Sequence, residues 1–272
     1  MRFHTTACCP RANRRGLTVV ELLFAVLIMA IVAASLQAMI GSVEIANDYS
    51  QGYGTATQHA RVAFNRIEAA VHSAYAKSIY PGVWVTQDTD GQWTYPNTLI
   101  VWQPSGTPAN PAGPPLVQEL VIFCPDPNQP NDLVQLTVPG NTTSVPTTSS
   151  TAFTTLINSL KMSSTANKIV LTNLLNVVSV SGSSGVAARP AVRFVVTLTP
   201  SAASWNSYLT GATAWGNLPW VQGMVSAAEG RREVWLRGEI QLVPGVTWTG
   251  EKAAAATALP FLGSTCFSYS LP

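Results

Sequence analysis

One apolar run near the N-terminus constrains this chain more than any other feature. Residues 17–34 read LTVVELLFAVLIMAIVAA, and SLQAMIGSV follows before the next charge at Glu44. A helix of that length rises about 27 Å, which is close to the thickness of a bilayer core. All charges in residues 1–16 are arginines. The positive-inside rule therefore predicts a cytoplasmic N-terminus and a body on the outer side of the membrane.

A single carboxylate, Glu21, interrupts the apolar run. A charged side chain inside hydrocarbon costs about 2.5–3.5 kcal/mol even on lenient insertion scales. A cleaved secretory signal peptide with its exit near residues 33–35, or a plain signal anchor, accounts for the apolar run and the arginines. Neither interpretation explains why a carboxylate interrupts the apolar run.

The stretch RRGLTVVELL, residues 14–23, resembles the class III leader of the type IV pilin and type II secretion pseudopilin superfamily. The resemblance implies that a prepilin peptidase cuts between Gly16 and Leu17 and methylates the new amine of Leu17. It places Glu21 at the fifth position of the mature chain, where its partner would be the amine of a neighbouring subunit. Leu17 departs from the family, in which phenylalanine is commonest at this position.

The fold class predicted is α+β, with a long N-terminal helix packed on an antiparallel β-rich globular head. We expect a basic leader at 1–16, a transmembrane and assembly helix at 17–43, an amphipathic continuation at 44–80 and the head at 81–272. Glycines predict a looser or bent helix across residues 49–55. The apolar stripe from Ala60 to Ala74 predicts one face on a core.

Short apolar or alternating runs predict the secondary structure of the head. The expected strands cover residues 83–87, 98–103, 116–124, 133–138, 168–180, 192–199 and 233–243, with a short helix at 152–162. The Asp90-Gly91 pair predicts a hairpin turn, and the proline-rich residues 104–115 predict a loop. Residues 205–220, rich in tryptophan, are a candidate partner-facing loop.

Few residues of the head suggest chemistry. Cys124 and Cys266 could form one disulfide in an exported protein or remain two buried free thiols. Asp88 and Asp90 begin a calcium-type loop but lack an acid at the twelfth position, so a turn is favoured. His59 and His72 are too far apart along the helix to share a metal, and solvated positions are expected for both.

No sequence pattern indicates an enzyme or a cofactor, because no nucleophile has a recognisable partner base and no phosphate-binding loop is present. Without the leader, eleven basic residues face thirteen acidic ones, so binding to nucleic acid is not expected. The expected partners are prepilin peptidase, other pilin or pseudopilin subunits through the N-terminal helix, and the bacterial inner membrane.

The sequence therefore favours a single-pass prepilin-like subunit that joins an envelope filament, a type II secretion pseudopilus or a type IV pilus. The size of the head and the stretch ARVAFNRIEAAVHSA after the anchor are similar to those of the minor pseudopilin J or minor pilin W group. Two other functions stay open. The chain could be an exported or membrane-anchored binding module, or an envelope enzyme with an unrecognised site.

Overall fold

One long helix is the first element in the described part of the chain. A computed structural model describes residues 18–77, 80–90, 93–111, 113–146, 150–182, 185–218, 231–244 and 258–270. Helix α1 extends without a break over Val19–His72, including residues 49–55. It ends before the predicted boundary at residue 80. The chain divides into two compact units, Met1–Ser50 and Gln51–Pro272.

The second unit is a β-rich head that contains the last turns of α1, two further helices and ten strands in the described residues. The elements are β1 Val83–Asp90, β2 Trp93–Trp102, β3 Leu120–Pro125, β4 Leu133–Thr137, α2 Thr151–Lys161, β5 Asn167–Thr172, β6 Val177–Gly182, β7 Gly185–Pro190, β8 Val192–Thr199, α3 Ala202–Leu209, β9 Arg231–Leu242 and β10 Leu259–Ser270.

These strands form three sheets whose pairings are all antiparallel. The largest sheet has the order β1-β2-β3-β4-β5, the second has the order β10-β9-β8, and β6 pairs with β7 alone. A long N-terminal helix followed by an antiparallel β head confirms the predicted α+β class.

The centre of the five-stranded sheet, which comprises β3, β4 and the second half of β2, is buried on both faces, and this explains the near-continuous apolar residues there. On one face Leu99 and Phe123 pack with α1 residues such as Ala63 in a core that also includes the three-stranded sheet. On the other face Ile100 and the rest of a second cluster pack against α2. Because successive strand residues point to opposite faces, uninterrupted apolar runs are needed to fill both cores.

Helix α1 contacts the three-stranded sheet at two facing glycines. Gly263 of β10 pairs with Gly238 of β9, and the ring of Phe64 lies on both. A Cβ at Gly263 would meet ring carbons of Phe64 within 2.4–2.8 Å, and one at Gly238 would lie 3.0 Å from Phe64 Cε1. Only glycine leaves room for the ring at Gly263.

One buried carboxylate fastens the proline-rich loop to the sheet. Glu119 is 6% exposed, and its Oε2 accepts hydrogen bonds from Trp102 Nε1 and from the backbone N–H of Leu116, each at 3.1 Å. Its Oε1 accepts from the backbone N–H of Ala109 at 2.6 Å. Buried polar groups require such partners, so this carboxylate gives residues 104–115 their anchor.

Several predictions for the head are wrong. Residues 168–180 were expected to form one strand, but β5 and β6 belong to different sheets, with Leu175 bridged to Leu242 of β9 between them. Strands β7 and β10 and helix α3 were not predicted. Residues Trp205 and Trp215 are buried with Leu218 in a small cluster of their own. These two rings are therefore not available to a partner, and Trp220 lies outside the described residues.

The two cysteines of the head are free thiols and do not form the disulfide considered above. Cys124 lies in the core beneath α2, whereas Cys266 is exposed on β10. The neighbours of Cys266 along the strand, including Phe267, point to the core that contains α1. The two thiols therefore lie on opposite outer sides of that core and cannot meet.

Candidate functional site

The candidate assembly site is the first turn of α1 and the apolar surface that follows it. Gly16 and Leu17, the predicted cleavage and methylation residues, lie outside the described residues. Glu21 is the only charged residue of α1 before Glu44. It lies in the first helical turn, where the exposed N–H groups at the positive end of the helix dipole favour a carboxylate.

Thr18 and Glu21 form a reciprocal capping box. Glu21 Oε2 accepts hydrogen bonds from the backbone N–H of Thr18 at 2.9 Å and from Thr18 Oγ1 at 3.1 Å. In return the backbone N–H of Glu21 donates to Thr18 Oγ1 at 3.3 Å. This arrangement satisfies two donors that a helix start leaves without partners. The pattern Thr-x-x-Glu was visible in the sequence, but the role of Thr18 was not recognised from it.

Only one carboxylate oxygen of Glu21 takes part in this capping box. Within the described residues no hydrogen bond to Oε1 occurs, and the residue is exposed. The geometry therefore allows Glu21 to cap its own helix and to accept a further donor, such as an ammonium group, at the same time. The first turn can therefore bind a positively charged donor without losing its own cap.

The surface of α1 beyond Glu21 is apolar and uncovered. The most apolar window of the helix has no buried residue, and by length and composition it could cross a membrane. Large apolar side chains are exposed on every side of this part of the helix, from Val19 to Val43. The buried residues of α1 begin only at Gly52 and continue to Val71. A large uncovered apolar surface indicates contact with lipid or with other chains.

The described residues of the head hold no comparable constellation. Asp88 Oδ1 accepts from Lys161 Nζ at 3.1 Å, and its Oδ2 accepts from Asn97 Nδ2 at 2.7 Å. The side chain of Asp90, the other calcium candidate, lies outside the described residues. Strands β1 and β2 form the predicted hairpin, with Asp90 opposite Trp93.

The two histidines of α1 differ in their surroundings. His72 is exposed, as expected, with Nε2 3.5 Å from Glu68 Oε1. His59 is half-buried instead, and its Nδ1 lies 3.1 Å from Thr172 Oγ1. In the described part of the chain no group of three His, Cys, Asp or Glu side chains could hold a metal ion. These residues therefore connect α1 to the sheets and to itself.

One cleft in the described part of the head lies between the β6–β7 hairpin and β2, with a volume of about 350 Å³. Tyr95 forms part of its wall, with the Arg189 guanidinium 4.8 Å from the ring centre. Two further lining residues, Arg193 and Glu239, form an ion pair in which Nη2 and Oε2 are 2.7 Å apart. The described lining contains no Ser, Cys or His side chain.

Comparison with known proteins supports the interpretation of the N-terminal segment. Residues 11–36 match the family model described as a prokaryotic N-terminal methylation motif. Comparisons with curated proteins and with solved structures give no significant match. The matched segment contains Gly16, Leu17 and Glu21, and the helix that follows is long and apolar enough to cross a membrane. The N-terminal segment of this chain is therefore a prepilin-type methylation motif, which supports a place among type IV pilins and pseudopilins.

Proposed function

We propose that this chain is a structural subunit that assembles through α1 into an envelope filament, a type II secretion pseudopilus or a type IV pilus. Prepilin peptidase would cleave it between Gly16 and Leu17 and methylate Leu17. Residues 17–43 would then anchor the mature chain in the inner membrane with the head on the outer side, until the subunit joins the filament. The proposal includes no catalysis.

The observation that carries the proposal is the combination of Glu21 with an uncovered apolar helix. A soluble protein would bury such a helix, and a simple anchor would not need an acid inside it. Helix–helix packing in a filament would cover the apolar surface, and the α-amine of a neighbouring Leu17 would neutralise Glu21. Removing one partner of such a buried pair costs about 3–5 kcal/mol, although the intact pair adds little net stability.

The pair would therefore set the register between subunits. The capping box supports this role, because Thr18 holds one oxygen of Glu21 in place and leaves the other for the incoming amine. We further propose that the chain is a minor component of its filament, similar to the J-type pseudopilins or W-type pilins. The size of the head and the sequence after the anchor support this assignment.

Substitution of Glu21 by Leu tests the assembly role. The Glu21→Leu chain should insert into the membrane and be processed normally, but it should fail to join filaments sheared from the cells. Glu44→Leu is the matched control, because Glu44 lies on the same exposed helix outside the first turn, and it should assemble as the native chain does. Normal incorporation of Glu21→Leu would disprove the proposed register.

The N-terminus of the protein isolated from its host distinguishes this function from that of an exported binding module. A mature chain that begins with methylated Leu17 supports the filament subunit. A mature chain that begins near Ser35 or Gln37 would have lost the assembly helix, and the proposal would then be wrong. Edman sequencing or terminal-peptide mass spectrometry gives the answer directly.

A further inference from the structure

Strand β10 forms an edge of the three-stranded sheet. It is twelve residues long, Leu259–Ser270, and within the described residues its backbone pairs with β9 alone. Its other side therefore presents a row of N–H and C=O groups without partners in the described structure. Such a row is a template for pairing with another extended chain.

In the five-stranded sheet, both edge strands carry features that prevent pairing with another chain. Edge strand β1 carries Asp88 and Asp90, and its register shifts after Thr86. At the opposite edge β5 is short and carries Lys168. Charges, short length and bulges are the usual devices against edge pairing.

Strand β10 has almost none of these devices. The stretch LPFLGSTCFSYS contains no charged residue, its only proline is at the second position, and its register with β9 is unbroken. Leu262 is 73% exposed, more than any other large apolar side chain in the described head. The contrast with β1 and β5 indicates that another extended segment covers the edge of β10.

The core behind β10 is also incomplete at this edge. Leu259, Phe261, Phe267 and Tyr269 point to the core that contains α1, yet all four are only partly buried. A strand added beside β10 would bring its own alternate side chains next to these residues. Those side chains must be apolar to extend the core, while the intervening ones would lie near Leu262 on the outer face.

We propose that the free edge of β10 binds an extended segment of another protein chain as an added strand. The partner segment carries apolar residues at every second position and few charges. Main-chain hydrogen bonds provide affinity, and the partly open core next to Phe261 and Phe267 provides specificity for the alternating pattern, as in other cases of strand addition. The proposal goes beyond assembly through α1, because it gives the head a binding surface of its own.

Antiparallel pairing of β10 with β10 of a second copy does not fit the proposed function. Two identical antiparallel edge strands are related by a two-fold axis perpendicular to the sheet. The head turns of α1 lie on one face of that sheet, with Phe64 on Gly263, so the two heads would point in opposite directions along it. Subunits that enter one filament from the same membrane share one orientation and cannot pair in this way. This step alone rests on the proposed function.

Photo-crosslinking from β10 tests the inference. The photoreactive residue p-benzoylphenylalanine would replace Leu262, Ser264 or Ser268 in turn in the full-length chain in its host. We expect adducts with one other protein at all three positions. The crosslinked sites on the partner, found by mass spectrometry, should shift by two residues for each two-residue step along β10, which is characteristic of paired strands.

A charge on the edge should abolish the adduct. Leu262→Lys, combined with the photoreactive residue at position 268, should lose it. Met162→Lys is the control, because Met162 is 63% exposed just after α2, and the adduct should persist in this variant.

Four results would overturn the proposal: no adduct, an adduct within the chain itself, an adduct with a second copy, or partner sites without the two-residue step. Reading the N-terminus in the same samples separates this failure from failure of the filament role, because processing at Gly16 does not depend on β10.

Discussion

At the scale of single residues, the two free cysteines of the head differ most in their surroundings. Cys124 is fully buried, and burial raises the pKa of its thiol from 9.0 to about 12. Cys266 is exposed on β10. Because the thiolate is the reactive form of cysteine, burial and the raised pKa both protect Cys124 from reagents.

Iodoacetamide at pH 8 should therefore label Cys266 in the folded head and leave Cys124 unlabelled. Cys124 should react only after the protein is unfolded in denaturant, which peptide mass spectrometry would detect. The variant Cys266→Ser serves as control, since its native form should take up no label in the head. Rapid labelling of Cys124 in the native protein would contradict its position beneath α2.

The same burial predicts a loss of stability in alkali. Between pH 9.0 and about 12 the unfolded thiol releases its proton while the folded thiol of Cys124 keeps it. The folded state then binds more protons, so the free energy of unfolding falls as the pH rises through this window and is unaffected below it. Denaturant unfolding of Cys124→Ala should show a flatter dependence on pH over that range than the native protein.

At the scale of secondary-structure elements, the contact between α1 and the three-stranded sheet depends on Phe64 and Gly263. We expect Gly263→Ala to destabilise the head by about 1–3 kcal/mol, as for other overpacked sites, because its Cβ would occupy the position of the Phe64 ring. Gly216→Ala is a matched control, since a Cβ there meets no atom within 4 Å. Chemical denaturation measures both.

A double-mutant cycle identifies the cause of that loss. In a Phe64→Ala background the ring is absent, so the further change Gly263→Ala should cost clearly less than it does alone. Equal costs in the two backgrounds would show that Gly263 is needed for another reason, such as its pairing with Gly238.

How far the sequence predicts an element depends on how many faces the element buries. Strand β2 was found because Leu99, Ile100 and Val101 are consecutive apolar residues with a core on either side. Strand β10 was missed because Gly263, Ser264 and Thr265 dilute its pattern, although its apolar residues do alternate. Helix α1 stays continuous through Gly52, which is buried, because tertiary packing outweighs the weak helix propensity of glycine.

The candidate site followed from the sequence more completely than the head did. A carboxylate in an apolar run and a glycine before it are local signals, so Glu21 and Gly16 could be proposed as site residues without a structure. The free edge of β10 and the glycine pair beneath Phe64 could not, because they result from strand pairing between residues that are distant in the chain. Contacts of that kind are set by the whole fold.

At the scale of the whole molecule, Gln51–Pro272 contains every residue of the buried clusters. We expect this fragment to fold on its own and to unfold in one cooperative thermal transition. A shorter fragment that begins at residue 73 loses Ala63, Ile67 and the other buried side chains of α1, and it should not fold. Circular dichroism of the two fragments makes the comparison. A folded shorter fragment would show that the helix is dispensable for the core.

The Glu119 anchor has a consequence for how the proline-rich loop tolerates change. Its bond to Ala109 ties residues 104–115 down near their midpoint, so the segment closes as two short arcs. Closure entropy grows slowly with arc length, by about 0.6 kcal/mol for each doubling. Extra residues inserted on either side of Ala109 should thus be absorbed locally, whereas a single change at Glu119 releases both arcs and leaves the indole of Trp102 without its acceptor. The loop can vary widely in length as long as that carboxylate stays in place.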